Sequence, residues 1–493
     1  MRYKGDMIMK RILAILLCLM MCAGVLISCS KKEGTDTTVN TSGVETEEVK
    51  SSLPDMDWGG RVVRVGEQSS SSEPSAVFSD DMTTALGNVV FVRNAHIKDM
   101  YNIEVEVVNS SKPSDEVVKE AMAGESSVDL LIDTVSNMKG ALAQGVFCDL
   151  SALKYVDLNG KGWNKDANQR LSIRHYQYVA TGDLSLREKG GSYVIYCNRD
   201  KLEAISDIDI RQAVLDGKWT IELMQQLVKD ATVIDTTTGG TLEYGLTNGD
   251  NIAFFNFLTT AYGLSICEKD DTDTPYFTFD NPTMYESAIN AIDDLLKMYA
   301  SQSTYTPRYS TTTPSALDTF IDDKALFMSN VIQRLSEVKS NVSFIYTVLP
   351  HPKYEDDGTV QYYSAKHYSW CTLVAVPYFA PDPDFSGFAL QALTENSSEL
   401  TYTYVEEQCK LKGSYDEIDY QLMGYALVDV FYDLGAVYNW GAVKTWIFTD
   451  RYDDASGIQS IPVGKVNNFA TLWAADKALA HLELEEFLAN FTE

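Results

Sequence analysis

The chain has 493 residues, 45% of them apolar and 22% charged, the make-up of a soluble globular protein longer than one ordinary domain. Forty basic residues stand against seventy acidic ones, a net charge of −30. This excludes nucleic acid and other polyanions as partners, because phosphate recognition needs clustered Lys and Arg, and it leaves neutral and cationic ligands open.

Lys10 and Arg11 precede an apolar run from Ile12 to Ile27 that is shorter than the ~20 residues of a membrane-spanning helix. A basic start, a short apolar centre and small residues at the end predict a secretory signal over residues 1–28. The run closes on Leu26-Ile27-Ser28-Cys29, which resembles the lipobox of bacterial lipoproteins. That resemblance implies lipidation of Cys29 and a membrane anchor. Residues 29–58 are predicted to be a disordered tether, since they are rich in Ser, Thr, Gly, Lys and Glu and cannot bury enough apolar surface to fold. Removing residues 1–28, with four basic groups and one acid, takes the formal charge to −33. A surface this acidic would rely on acyl chains to stay on anionic lipid.

Strands are predicted at Arg61–Val65, Ile103–Val108, Val128–Ile132, Tyr193–Cys197, Phe344–Leu349 and Thr372–Val376. Helical stretches lie between them. The clearest opens on Asn281-Pro282, a capping residue followed by proline, and places Tyr285, Ala288, Ile289, Ile292, Leu295, Leu296 and Tyr299 on one stripe. Leu484, Phe487, Leu488 and Phe491 mark a last helix. This alternation predicts α/β lobes with mostly parallel sheets. The serine run Ser69–Ser72 reads as a loop.

No Gly-x-Ser-x-Gly, His-Glu-x-x-His or phosphate-loop motif occurs, and the five histidines are scattered. Asp382-Pro383-Asp384 imitates half of a calcium loop, but the twelfth position is Leu393 rather than Glu, so a turn capping the next helix is the better reading. Cys148, Cys197, Cys267, Cys371 and Cys409 form no Cys-x-x-Cys pair. No metal, cofactor or catalysis is expected.

The order of segments is informative. Val128-Asp129-Leu130-Leu131-Ile132-Asp133 leads to Gly140-Ala141-Leu142-Ala143-Gln144-Gly145-Val146-Phe147-Cys148-Asp149-Leu150; then come Tyr193-Val194-Ile195-Tyr196-Cys197-Asn198-Arg199-Asp200, Trp219-Thr220-Ile221-Glu222-Leu223, Phe320 through Met328, and Phe344 through Pro350. This succession, over roughly residues 60–400, resembles the extracellular solute-binding proteins of ABC importers, in the family-1 group that mostly binds sugars. Arg93–Val105 and Tyr432–Trp440 also look like clostridial lipoproteins of this type. The chain departs from the family pattern after the Ala-x-Met segment, where Ser329-Asn330-Val331-Ile332 follows, and at Ala180-Thr181-Gly182-Asp183, where a Pro is usual.

The resemblance implies a two-lobed periplasmic-binding-protein-like α/β fold of type II, its lobes joined by crossing hinge strands and closing on ligand. Lobe one would comprise 59–192 and 350–410, lobe two 193–349 and 411–493. It further implies a monomer on the extracellular face of the cytoplasmic membrane that captures a small solute, an oligosaccharide foremost, and meets the importer's permease subunits. Open α/β sheets bind ligands beyond their strand C-termini. The first such loop offers Glu67 and Gln68, and the second Asp133, Thr134 and Asn137, of which the resemblance favours Asp133 and Thr134; the resemblance also implies contacts from Phe254, Phe255 and Asn256, and Asp183, Asn330, Trp370 and Trp440 are further candidates. Glu67, Asp133 and Asp183 would equally make an acidic cleft for a cationic solute such as a polyamine. A secreted glycoside hydrolase would need two carboxylates about 5–10 Å apart across the cleft.

Overall fold

The computed structural model describes residues 51–68, 75–248, 253–299, 301–306, 314–364, 371–427, 432–443 and 466–491. The leader, Cys29, the run Ser69–Ser72 and Trp370 lie outside the described residues. The strands are β1 (Arg61–Gln68), β2 (Ile103–Ser110), β3 (Leu130–Thr134), β4 (Tyr193–Asn198), β5 (Val233–Ile234), β6 (Thr241–Asn248), β7 (Cys267–Lys269), β8 (Pro275–Phe277), β9 (Thr304–Tyr305), β10 (Ala325–Val331), β11 (Tyr346–Leu349) and β12 (Thr372–Ala375).

They build one sheet in the order β12-β3-β1-β2 and a second in the order β11-β4-β10-β6-β5, with β9 also on β6; β7 and β8 form a hairpin. β1 runs parallel to β2 and β3, and β10 parallel to β6, but β12 is antiparallel to β3 and β4 is antiparallel to both neighbours. The sheets are therefore mixed rather than mostly parallel. The reversed strands are β12 in the first sheet, and β4 and the short β5 in the second.

Each sheet carries helices on both faces, as buried strands require. In β3, Leu130 and Ile132 join the core of the first lobe, while Leu131 on the opposite face joins a larger core. That larger core runs on from lobe one through Trp219 and Phe327 of lobe two to Trp440, Trp473 and Phe487 near the C-terminus. Trp219 is fully buried, its indole N–H donating to the Pro350 carbonyl at 2.9 Å.

Local chemistry sets the helix ends. Thr84 caps Ala85–Tyr101 by accepting from the Gly87 amide, and Asn102 ends that helix in the left-handed region. Asn281 accepts from Thr283 and Met284 ahead of Pro282–Tyr299. Asp382 caps Pro383–Glu395 and pairs with Arg61 at 2.7 Å, the turn expected in place of a calcium loop. The C-terminal helix Phe469–Leu488 is met closely by the turn at Gly441, where a Cβ would lie 2.5 Å from that of Ala480.

Two expected boundaries move. The tether was placed as far as residue 58, yet Ser51 and Ser52 bond to Glu395, Leu53 is buried, and Trp58 sits edge-on to Phe385 and Phe388. One leucine and one tryptophan supply the apolar area that holds these eight residues on lobe one. The second crossing was placed at 350, but the chain stays on lobe two to Tyr362: Ile221 N–H donates to the Lys353 carbonyl and Tyr362 Oη to that of Val214.

The cysteines Cys148, Cys197, Cys267 and Cys409 carry free thiols. Among the described residues there is no cluster of His, Cys, Asp and Glu able to hold a metal ion, and no helix long and apolar enough to cross a membrane.

Candidate functional site

In lobe one, β1 ends in Glu67 and Gln68, β3 in Asp133 and Thr134, and β12 starts beside them, with Thr372 in register with Thr134. A small cavity of about 20 Å³ is lined there by Glu67, Gln68, Ile132, Leu184, Arg187 and Thr372. Arg187 donates to Gln68 Oε1 at 2.9 Å, and Ser75 Oγ donates to Glu67. Burial raises the Glu67 pKa, against the Ser75 hydroxyl and the charges of Arg187 and Arg93. Arg93 is itself buried, donating to the carbonyls of Ala76 and Val77 and to Ser397 Oγ, and burial lowers it to about 10.

Asp133 differs from the open contact expected of it. It is 0% exposed, and its carboxylate accepts from Ser114 N–H at 3.2 Å and Ser114 Oγ at 2.6 Å, from Thr134 N–H at 2.7 Å, and from Asn137 Nδ2 at 2.9 Å. Asp133, Thr134 and Asn137 thus form one closed group that ties β3 to the first turns of Pro113–Ala123 and Val135–Ala143. Asp183 accepts from Thr401 Oγ1 at 2.8 Å, and burial raises its pKa.

In lobe two, Leu349, Ile195, Ser329 and Asn248 stand in one register row across β11, β4, β10 and β6. His351 lies two residues beyond Leu349, with Tyr193 beside it at 6.5 Å between ring centroids. The helix Ala253–Thr260 packs over this row: Phe257 is 4.7 Å from the His351 ring, and Tyr299, in contact with Phe254, donates to Asn248 Oδ1 at 3.2 Å. The Thr260 hydroxyl donates to the Asn256 carbonyl at 2.6 Å, so its 3.1 Å contact with His351 Nδ1 has the ring as donor. That leaves Nε2 as a bare acceptor. Among the described residues it has no partner, nor have Ser329 Oγ and both amide atoms of Asn256, all of them buried. Burial drops the His351 pKa to about 3, so the ring is neutral.

The remaining expected residues that the structure describes are internal. Phe254 and Phe255 are buried in the core, Phe254 edge-on to Tyr299 at 4.9 Å. Trp440 stacks on Tyr438 at 5.0 Å and meets Phe487, leaving no open ring face. Asn330 folds back to accept from Val331 N–H at 2.9 Å. A helix enclosed on every side buries its aromatics whichever way they point, and this is what the local apolar run around Phe254 specifies. Sequence reasoning missed Arg187, Ser329, His351 and Thr372. Ser329 and His351 were findable as the alternate strand position beside Asn330 and as the residue after the Leu349-Pro350 strand end; nothing in the sequence marks Arg187.

The family model for bacterial extracellular solute-binding proteins matches residues 95–387, more than half of the chain. The chain belongs to this family. Solved structures agree on the fold. A cyclo/maltodextrin-binding protein complexed with maltotetraose aligns at TM-score 0.54 and 13% identity, covering 88% of this chain and 98% of its own. The maltose-binding periplasmic protein of Listeria monocytogenes in complex with maltose aligns at 0.52 and 14%, covering 88% and 99%. An ABC substrate-binding protein of the same organism in complex with cycloalternan aligns at 0.51 and 12%, covering 86% and 98%. No curated protein matches the chain in sequence.

Proposed function

We propose that the protein captures an uncharged carbohydrate, of oligosaccharide size, between its lobes and delivers it to the permease of an ABC importer, held to the outer face of the cytoplasmic membrane by lipid on Cys29. The observation that carries this reading is the set of neutral, unpartnered atoms in lobe two: His351 Nε2, Ser329 Oγ and the Asn256 amide. A sugar hydroxyl both donates and accepts, so it can satisfy such a mixed set directly or through a bridging water. An ammonium only donates and calls for carboxylates. The acids that would serve a polyamine are engaged elsewhere: Asp133 with Ser114, Thr134 and Asn137, Asp183 with Thr401, and Glu67 with Ser75 near two guanidinium groups. The related folds solved with maltotetraose and cycloalternan point to the same ligand class.

Thermal denaturation with maltotetraose, cycloalternan or spermidine tests the proposal. A ligand at a hundred times its Kd adds about 2.7 kcal/mol and raises Tm by several degrees. A rise with an oligosaccharide is expected; a rise with spermidine alone would replace the reading with a cationic solute, and hydrolysis products would replace it with a glycosidase.

A further inference from the structure

The lobes also meet away from their connecting strands, where two turns and a helix end bond to one another beside the apolar core that the lobes share. In lobe one, Ile173 and Tyr176 exchange both backbone hydrogen bonds across the two residues Arg174 and His175. Such a turn needs positive φ at both central positions, where Asn-Gly is preferred. Here Arg174 holds φ +51° and His175 +66°. This segment belongs to the first lobe, since Ala180 pairs with Val374 of β12.

Facing it in lobe two is the β7–β8 hairpin, whose loop residue Asp273 also has a positive φ, +59°. The left-handed turns interlock. Arg174 N–H donates to the Asp273 carbonyl at 2.8 Å and His175 N–H to Asp273 Oδ2 at 3.0 Å. Lys269 pairs with Asp273 Oδ1 at 2.5 Å and donates to the Ser172 carbonyl at 3.1 Å. The Arg174 guanidinium reaches the end of Phe469–Leu488, donating to the carbonyls of Leu488 and Phe491 at 3.0 Å each, and Asn490 Nδ2 donates to the Ala143 carbonyl at 2.8 Å. The other end of that helix is seated on lobe two, with Trp473 against Phe277 and Phe279.

Asp and His enter the left-handed region readily, whereas Arg174 does not, and a residue held there against its preference persists where surrounding contacts over-determine it. We infer that the 173–176 turn, the β7–β8 hairpin and the end of the C-terminal helix form an interlobe clasp that holds the lobes drawn together and so sets ligand affinity from outside the cleft. The inference rests on the lobe-closure reading above. Apparent affinity scales with the fraction of molecules in the competent state, so loosening the clasp weakens binding without altering a ligand contact.

The test uses dyes on Lys119→Cys and Glu222→Cys, one on each lobe, with distances read by single-molecule energy transfer in the absence of ligand, and maltotetraose as the binding probe. Arg174→Gly removes the guanidinium while relaxing the backbone; it is expected to shift the distances outward and weaken the maltotetraose Kd three- to tenfold. His175→Gly keeps both backbone contacts and the guanidinium, and should match the parent in both. Unchanged distances in Arg174→Gly, or tighter binding, would overturn the clasp. Failure of maltotetraose to bind the parent would count against the carbohydrate reading, while the distances would still decide the clasp.

Discussion

The two sheets end at equivalent places and finish those ends differently. In lobe one the last acid of β3, Asp133, has its oxygens filled by four donors, three of them from the first turns of two helices. In lobe two the corresponding end is neutral, and Ser329, His351 and Asn256 retain unmatched polar atoms. A buried polar group with no partner destabilises the fold by about 1–3 kcal/mol, so the end of β3 is satisfied within the protein while the lobe-two end carries an unmet cost.

The largest expected effect that would break this contrast is at Asp133. Asp133→Ala should lower unfolding free energy in urea by about 3 kcal/mol, because it strands several donors at once, and leave sugar affinity within twofold. Lost affinity with stability intact would put Asp133 on the ligand instead. Next comes acidification. His351 has a folded pKa of about 3, below the usual imidazole value, so its contribution is fully present above pH 6.5 and lost as pH falls toward 3. At pH 5 the loss should be about 2 kcal/mol. Asp433, raised to about 6 by burial, acts with the opposite sign, stabilising the fold as pH drops through 6. The informative quantity is therefore the difference in pH slope between the parent and His351→Gln between pH 7 and 5; equal slopes would mean that the imidazole titrates in the folded protein as it does in the unfolded chain. Smallest is Ser329→Ala, which removes an unmatched hydroxyl. It should raise the stability of the free protein by up to about 1 kcal/mol and weaken oligosaccharide binding. A fall in stability with unchanged binding would show that the hydroxyl already has a partner.

Much of this was legible beforehand, and the reasons differ by element. β1, β2, β3, β4, β11 and β12 were found to within two residues at most ends, because their apolar runs are bounded by turn residues. β6, Thr-Leu-Glu-Tyr-Gly-Leu-Thr-Asn, was not, since its first half is only partly buried and its sequence is correspondingly polar. The cap at Asn281 and the turn at Asp382 followed from local chemistry and stand as expected. The sites were harder. Glu67 and Gln68 do line a cavity at a strand end, but an Asp at the end of β3 looks the same in sequence whether it faces solvent or two helix N-termini. Only the arrival of Ser114, nineteen residues upstream, distinguishes the cases. Partnerlessness, the property that singles out His351 and Ser329, belongs to three-dimensional surroundings and leaves no mark on the chain.

The free cysteines bear on how such a protein survives outside a cell. Burial pushes the Cys148 thiol up to about 11 and Cys409 up to about 12, and lifts Cys197 and Cys267 as well. Because thiolate is the species that attacks disulfides and oxidants, burial makes these four thiols poorly reactive at neutral pH. An aerated or peroxide-bearing medium should therefore find little to react with at these four positions.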